Sequence, residues 1–163
     1  MNPAVDVLVQ RRGGLATRLA MVLGSGLGGL SGELDKPVRI PFKDLPGFPV
    51  GGVSGHAGEV VAGYLSGVPV MMIAGRVHYY EHGNAGAMRP ILEALSAIGI
   101  THLLLTNAAG SLQHDMPPGS VIKIPDSLWN SFLFAGLLVG ACLRGADVLI
   151  IAPAEANAPS ASI

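Results

Sequence analysis

The chain has 163 residues, half of them hydrophobic and 13% charged, with a formal net charge of −1; that composition excludes intrinsic disorder, which needs few apolar residues and a large net charge. Ten Lys and Arg against eleven Asp and Glu leave no basic surplus to neutralise a phosphate backbone, which argues against nucleic acid as a partner. Cys142 is the sole cysteine, so an internal disulfide and a Cys-x-x-Cys zinc or redox site are excluded, and a reducing, cytoplasmic compartment is expected. The start of the chain holds Asp6 and no basic residue before Arg11, unlike a secretory signal.

Along the chain, Val5, Leu8 and Val9 recur at helical spacing and predict an amphipathic helix over Pro3 to Arg12. Leu19 to Leu23 is a short apolar run ending in Gly24-Ser25-Gly26-Leu27-Gly28-Gly29, read as a strand entering a tight Gly-rich loop. Ser31 to Gly55 contains Pro37, Pro41, Pro46 and Pro49, and is expected to be mostly loop with a short strand near Val38 to Ile40. Glu59 to Leu65 and Val68 to Ala74 are β-prone runs separated by Ser66-Gly67, the pattern of a hairpin. Met88 to Ile98 places Ile91, Leu92, Leu95 and Ile98 on one helical face, with Gly99 as the C-terminal cap. His102 to Thr106 reads as a buried strand, followed by Asn107-Ala108-Ala109-Gly110 in a loop and a short strand at Val121 to Ile124. Ser127 to Leu143 is uncharged and mostly apolar; a buried helix is the favoured reading and a short membrane span the competing one. Val148 to Ile151 is a strand without an evident partner, and Asn157 to Ile163 a frayed end.

Three clusters can carry chemistry. The first formally satisfies Gly-x-Gly-x-x-Gly at Gly24, Gly26 and Gly29, but Gly32, Pro37 and Pro41 leave no room for the helix a dinucleotide fold needs. What survives is a strand-end loop whose N–H groups, with the Ser25 hydroxyl, can cup a small anion. In the second, Arg76, His78 and Tyr80 fall on one side if extended geometry persists past Ala74. Arg76 offers a bidentate fork for an oxyanion, His78 a second donor, and Tyr80 a flat apolar face with a hydroxyl. A solvated loop with an Arg76–Glu81 ion pair is the competing structural reading; His78 and His82 are spaced for a helix, but Gly83 and the aromatic run argue against one, so no metal site is expected. The third is Asn107-Ala108-Ala109-Gly110 at a strand's carboxyl end, where small residues let a ligand approach the backbone. His56, in Gly55-His56-Ala57-Gly58, is by itself a loop histidine.

Taken in order, Leu23-Gly24-Ser25-Gly26-Leu27-Gly28, Pro46-Gly47-Phe48-Pro49, Gly55-His56-Ala57-Gly58, Gly75-Arg76-Val77-His78-Tyr79-Tyr80-Glu81, Thr106-Asn107-Ala108-Ala109-Gly110 and Met116-Pro117-Pro118-Gly119-Ser120 resemble the purine nucleoside phosphorylases of the trimeric class. The resemblance implies an α/β fold with a mixed central sheet flanked by helices, a homotrimer, and no metal or organic cofactor. The implied reaction is phosphate-dependent cleavage of the N-glycosidic bond of purine ribo- or deoxyribonucleosides, giving free base and pentose 1-phosphate. It implies that Ser25, Arg76, His78 and the Ala108 backbone bind phosphate, with His56 close by. Asn107 would lie between phosphate and sugar, with Tyr80 against the ribose; His78 and Asn107 are the implied catalytic residues.

The resemblance covers residues 1 to 126, the N-terminal part of such a domain. In the family, later sequence supplies a Glu that grips the purine ring and an Asn that stabilises the departing base. No segment after Asp126 matches those motifs, and 127–163 reads as a divergent apolar tail. The chain is therefore expected to hold a phosphate-and-ribose half-site, incomplete on its C-terminal side, as a truncated or frame-shifted phosphorylase would. The alternatives are a non-catalytic phosphate- or nucleoside-binding remnant, a related methylthioadenosine phosphorylase, and a small membrane-associated protein.

Overall fold

A computed structural model of the chain describes residues 2–24, 27–49, 58–77, 81, 83–84, 86–106, 121–124 and 148–151. Helix α1 spans Pro3–Arg11. Its start is fixed by Asn2, whose side chain accepts the Ala4 N–H at 3.0 Å, and by Pro3, which lacks the donor that a first-turn residue would leave unpaired. Ala4 and Leu8 are buried with Val5 half-buried beside them, whereas Val9 is 46% exposed. The inward stripe is thus rotated from the expected Val5–Leu8–Val9 face, because Ala4, small enough for close packing, lies one turn before Leu8.

Strand β1 (Leu19–Leu23) enters a turn closed by the Leu27 N–H on the Gly24 carbonyl. A five-residue 3-10 turn, Gly28–Gly32, follows rather than an α-helix, so the dinucleotide-binding context is absent. Strand β2 runs over Asp35–Pro41, longer than the expected Val38–Ile40. Prolines do not stop it because β2 is an edge strand, where a missing N–H can face away from the ladder. A register shift between Asp35 and Val38, with Lys36 at φ +50°, absorbs Pro37. The hairpin of β3 (Glu59–Leu65) and β4 (Val68–Ala74) forms as expected, turning at Ser66 and Gly67 with φ +49° and +82°.

Helix α2, Arg89–Ala97, buries Ile91, Ala94 and Leu95. At its end Gly99 takes φ +94°, its N–H donates to Ser96 O, and the Ile100 N–H reaches back to Leu95 O. This satisfies two carbonyls of the last turn and brings Ile100 and Leu95 into the same core. On the exposed side Arg89 Nε donates to Glu93 at 2.7 Å one turn later, and the Glu93 carboxylate holds the guanidinium above its ordinary pKa.

With β5 (His102–Leu105), the strands form one mixed sheet in the order β2-β3-β4-β1-β5. Central β1 is parallel to both β4 and β5, while β3 lies antiparallel between β2 and β4. The central strands read as nearly continuous apolar runs because both faces are covered. Ala20, Val22, Val60, Ala62, Met71, Ile73, Leu103 and Leu105 pack on one side with residues of α1 and α2. Met21, Leu23, Val61, Val70 and Met72 point to the other, with Leu34 and Leu30. A second, two-stranded sheet pairs β6 (Val121–Ile124) antiparallel with β7 (Val148–Ile151). The strand at Val148 therefore has a partner; more than twenty residues of intervening sequence hid it from local patterning.

The registers place the ends of four strands in one row across the sheet: Pro41 opposite Glu59, Glu59 opposite Ala74, and Ala74 opposite Leu23. Val22 opposite Leu105 puts Thr106 next in that row, its N–H donating to Val22 O at 3.1 Å. Just beyond it the Phe42 N–H donates to Gly58 O at 2.8 Å, and the Phe42 ring packs against Gly58 so closely that a Cβ there would lie 2.2 Å from Cδ2. Gly75 takes φ +138°, and a Cβ on it would stand 2.9 Å from the Gly58 Cα. Phe48, from the Pro46-Gly47-Phe48-Pro49 segment, meets Phe42 edge-on at 5.4 Å between ring centroids.

Two comparisons test this packing by urea unfolding. Ile91→Ala, at a fully buried site, is expected to cost roughly 2–5 kcal/mol, while Glu93→Ala, which breaks an exposed ion pair, leaves the midpoint within scatter. Gly75→Ala is expected to destabilise by about 1–3 kcal/mol, since it forces a side chain into a left-handed conformation against Gly58. Gly29→Ala, with open space around it, should stay within about 0.5 kcal/mol of wild type.

Candidate functional site: the aligned strand ends

In open α/β sheets, ligands collect at the carboxyl ends of parallel strands, where backbone groups lose their ladder partners. Here β1, β4 and β5 end at that edge and β3 begins there, so Gly24, Gly75, Thr106 and Gly58 emerge side by side. These four residues flank the four segments singled out in the sequence. The register thus brings together motifs separated by up to about eighty residues of chain.

Of the candidate residues, Arg76 is described and Ser25, His56, His78, Tyr80, Asn107 and Ala108 lie outside the described residues. Arg76 is half-buried, and its Nη1 donates to the Thr106 carbonyl at 3.3 Å. β4 ends at Ala74 and Gly75 takes φ +138°, so Arg76 follows a turn rather than the strand; the expected placing of Arg76, His78 and Tyr80 on one side lies partly outside the described residues. Arg76 reaches the β5 end by that turn. The segment is further held where the Val77 N–H meets Met88 Sδ at 3.4 Å, just before α2.

Thr106 is the residue that sequence reasoning missed. It is 1% exposed. Its Oγ1 donates to Val22 O at 2.9 Å and accepts the Gly24 N–H at 2.8 Å. One hydroxyl therefore joins the ends of β1 and β5 just where the backbone ladder between them stops. The available signal was a hydroxyl closing the apolar run His102-Leu103-Leu104-Leu105, since a buried hydroxyl must find partners. Thr17 acts similarly at the opposite end of β1, donating to Pro69 O at 2.7 Å and accepting the Leu19 N–H.

Chemically, the edge presents a half-buried guanidinium bonded to Thr106, whose hydroxyl also holds the Gly24 N–H, an arrangement suited to a small oxyanion. Among the described residues no group of three or more His, Cys, Asp and Glu could hold a metal ion. No helix among them is long and apolar enough to cross a membrane; Ser127 to Leu143 lies outside the described residues.

The family model described as the phosphorylase superfamily matches residues 18–152, a span that contains the whole strand-end row. Purine nucleoside phosphorylase 1 of Geobacillus stearothermophilus is 39% identical over 113 residues, covering 69% of this chain and 41% of that protein. Purine nucleoside phosphorylase 1 of Bacillus subtilis is 37% identical over 123 residues, covering 76% and 45% respectively. Isoform 2 of the purine nucleoside phosphorylase of Schistosoma mansoni, solved with cytosine and ribose-1-phosphate, superposes with a TM-score of 0.66 at 28% identity, covering 74% of this chain and 42% of that one. The chain spans less than half the length of these relatives. With the mixed sheet, the aligned strand ends and a family match over most of its residues, the chain belongs to the phosphorylase superfamily.

Proposed function

We propose that the chain is a purine nucleoside phosphorylase, transferring the pentosyl group of a purine ribo- or deoxyribonucleoside to inorganic phosphate. The observation that carries this reading is the half-buried Arg76 guanidinium at the joined ends of β4, β1 and β5. The relatives' names and the ribose-1-phosphate in the Schistosoma structure support it.

In the proposed reaction the C1′–N9 bond breaks, its electron pair leaves on the purine, which takes up a proton, and a phosphate oxygen bonds to C1′. The sugar passes through an oxocarbenium-like state, so a phosphate dianion fixed beneath C1′ both stabilises the cation and stands ready to attack. Arg76 anchors that dianion with Ser25, His78 and the Ala108 N–H, and His56 lies near it. Asn107 bridges phosphate and sugar, and Tyr80 packs on the ribose. Phosphate is a co-substrate, and no metal or organic cofactor takes part. We place the enzyme in the cytoplasm as a homotrimer, in line with the family resemblance of its motifs.

The reading is tested by incubating the purified chain with inosine, with and without phosphate, and following hypoxanthine. Release that requires phosphate supports the reading and assigns the base contacts to 127–163 or a neighbouring subunit; a folded protein that releases none contradicts it. Arg76→Ala is expected to raise the KM for phosphate roughly ten- to a hundredfold through loss of a charge-assisted contact, with a smaller change in the KM for inosine.

A further inference from the structure

We propose that Thr106 is a positioning residue for the anion site: its hydroxyl sets the turn after β1 and its carbonyl orients the Arg76 guanidinium, so that both face one phosphate. This rests on the phosphorylase reading above. The geometry is specific. The Thr106 O–H is used on Val22 O, its oxygen lone pair receives the Gly24 N–H, and its carbonyl receives Arg76 Nη1. Thr106 is thus bonded on either side of Leu23, the last residue of β1, and to the cation after β4, while Asn107 follows it directly. All of this occurs at a residue 1% exposed, where a lost partner is not replaced by water.

A purely structural role would also explain buried hydroxyl bonds, and Thr17 supplies the internal comparison. It joins β1 to Pro69 with a bond of similar length, but at the opposite end of the strand. Valine has the shape of threonine without the hydroxyl, and serine keeps the hydroxyl without the methyl. Thr106→Val, Thr106→Ser and Thr17→Val in the full chain therefore separate positioning from stability.

The readouts are inorganic phosphate affinity by titration calorimetry and amide exchange of the segment following Leu23. Thr106→Val is expected to weaken phosphate binding on the order of tenfold, as leaving the buried Gly24 N–H without its acceptor implies, and to speed exchange in that segment. Thr106→Ser should restore both to near wild type. Thr17→Val should lower the melting temperature while leaving phosphate affinity unchanged. Unchanged affinity in Thr106→Val, or equal loss in Thr17→Val, overturns the positioning role. If Thr106→Val does not fold, a tenfold loss of affinity in folded Thr106→Ser overturns it instead, and retained affinity supports it. A wild-type protein that binds no phosphate overturns the phosphorylase reading and this role with it.

Discussion

The parallel pairing of β1 with β4 on one side and β5 on the other is the constraint from which the rest of the site follows. Parallel neighbours end at the same edge, and the registers Leu23 with Ala74 and Val22 with Leu105 make the three ends level. The antiparallel β3 then must begin at that edge, with Glu59 opposite Ala74. Four chain segments distant in sequence are delivered to one place by hydrogen-bond register alone. A one-residue slip in any pair would send the alternating side chains of that strand to the wrong face, so the two buried faces protect the alignment of the edge.

Backbones and rings approach closely at the edge. Phe42 lies against Gly58 and is met edge-on by Phe48, while Gly75 passes Gly58 without room for a Cβ. The glycines here serve close approach of backbones. They let the chain after β4 turn sharply enough for Arg76 to reach the Thr106 carbonyl. Burial, turn geometry and the position of the cation are thus one arrangement rather than three.

Much of this was legible in the sequence. Continuous apolar runs gave the central strands, Ser66-Gly67 the hairpin, and Gly99 the end of α2, because each is decided by local chemistry. The motif order gave the family. Less legible was β2, where four prolines in the region suggested loop; only its edge position makes Pro37 and Pro41, the two within it, compatible with a strand. The inward face of α1 was misjudged because hydrophobicity favoured Val9 over Ala4, whereas packing favoured the smaller side chain. The partner of β7 and the partners of the Thr106 hydroxyl lie across long stretches of chain; the hydroxyl closing an apolar run signalled only that partners were needed.

The proposed anion site lies at the level ends of β1, β4 and β5. A crystal structure of the chain grown with inorganic phosphate tests it most directly. Phosphate density is expected at the carboxyl edge, within hydrogen-bonding distance of the Arg76 guanidinium and close to Gly24. Phosphate held only elsewhere, for instance at the opposite edge where Arg18 Nε meets Thr101 Oγ1, would contradict it.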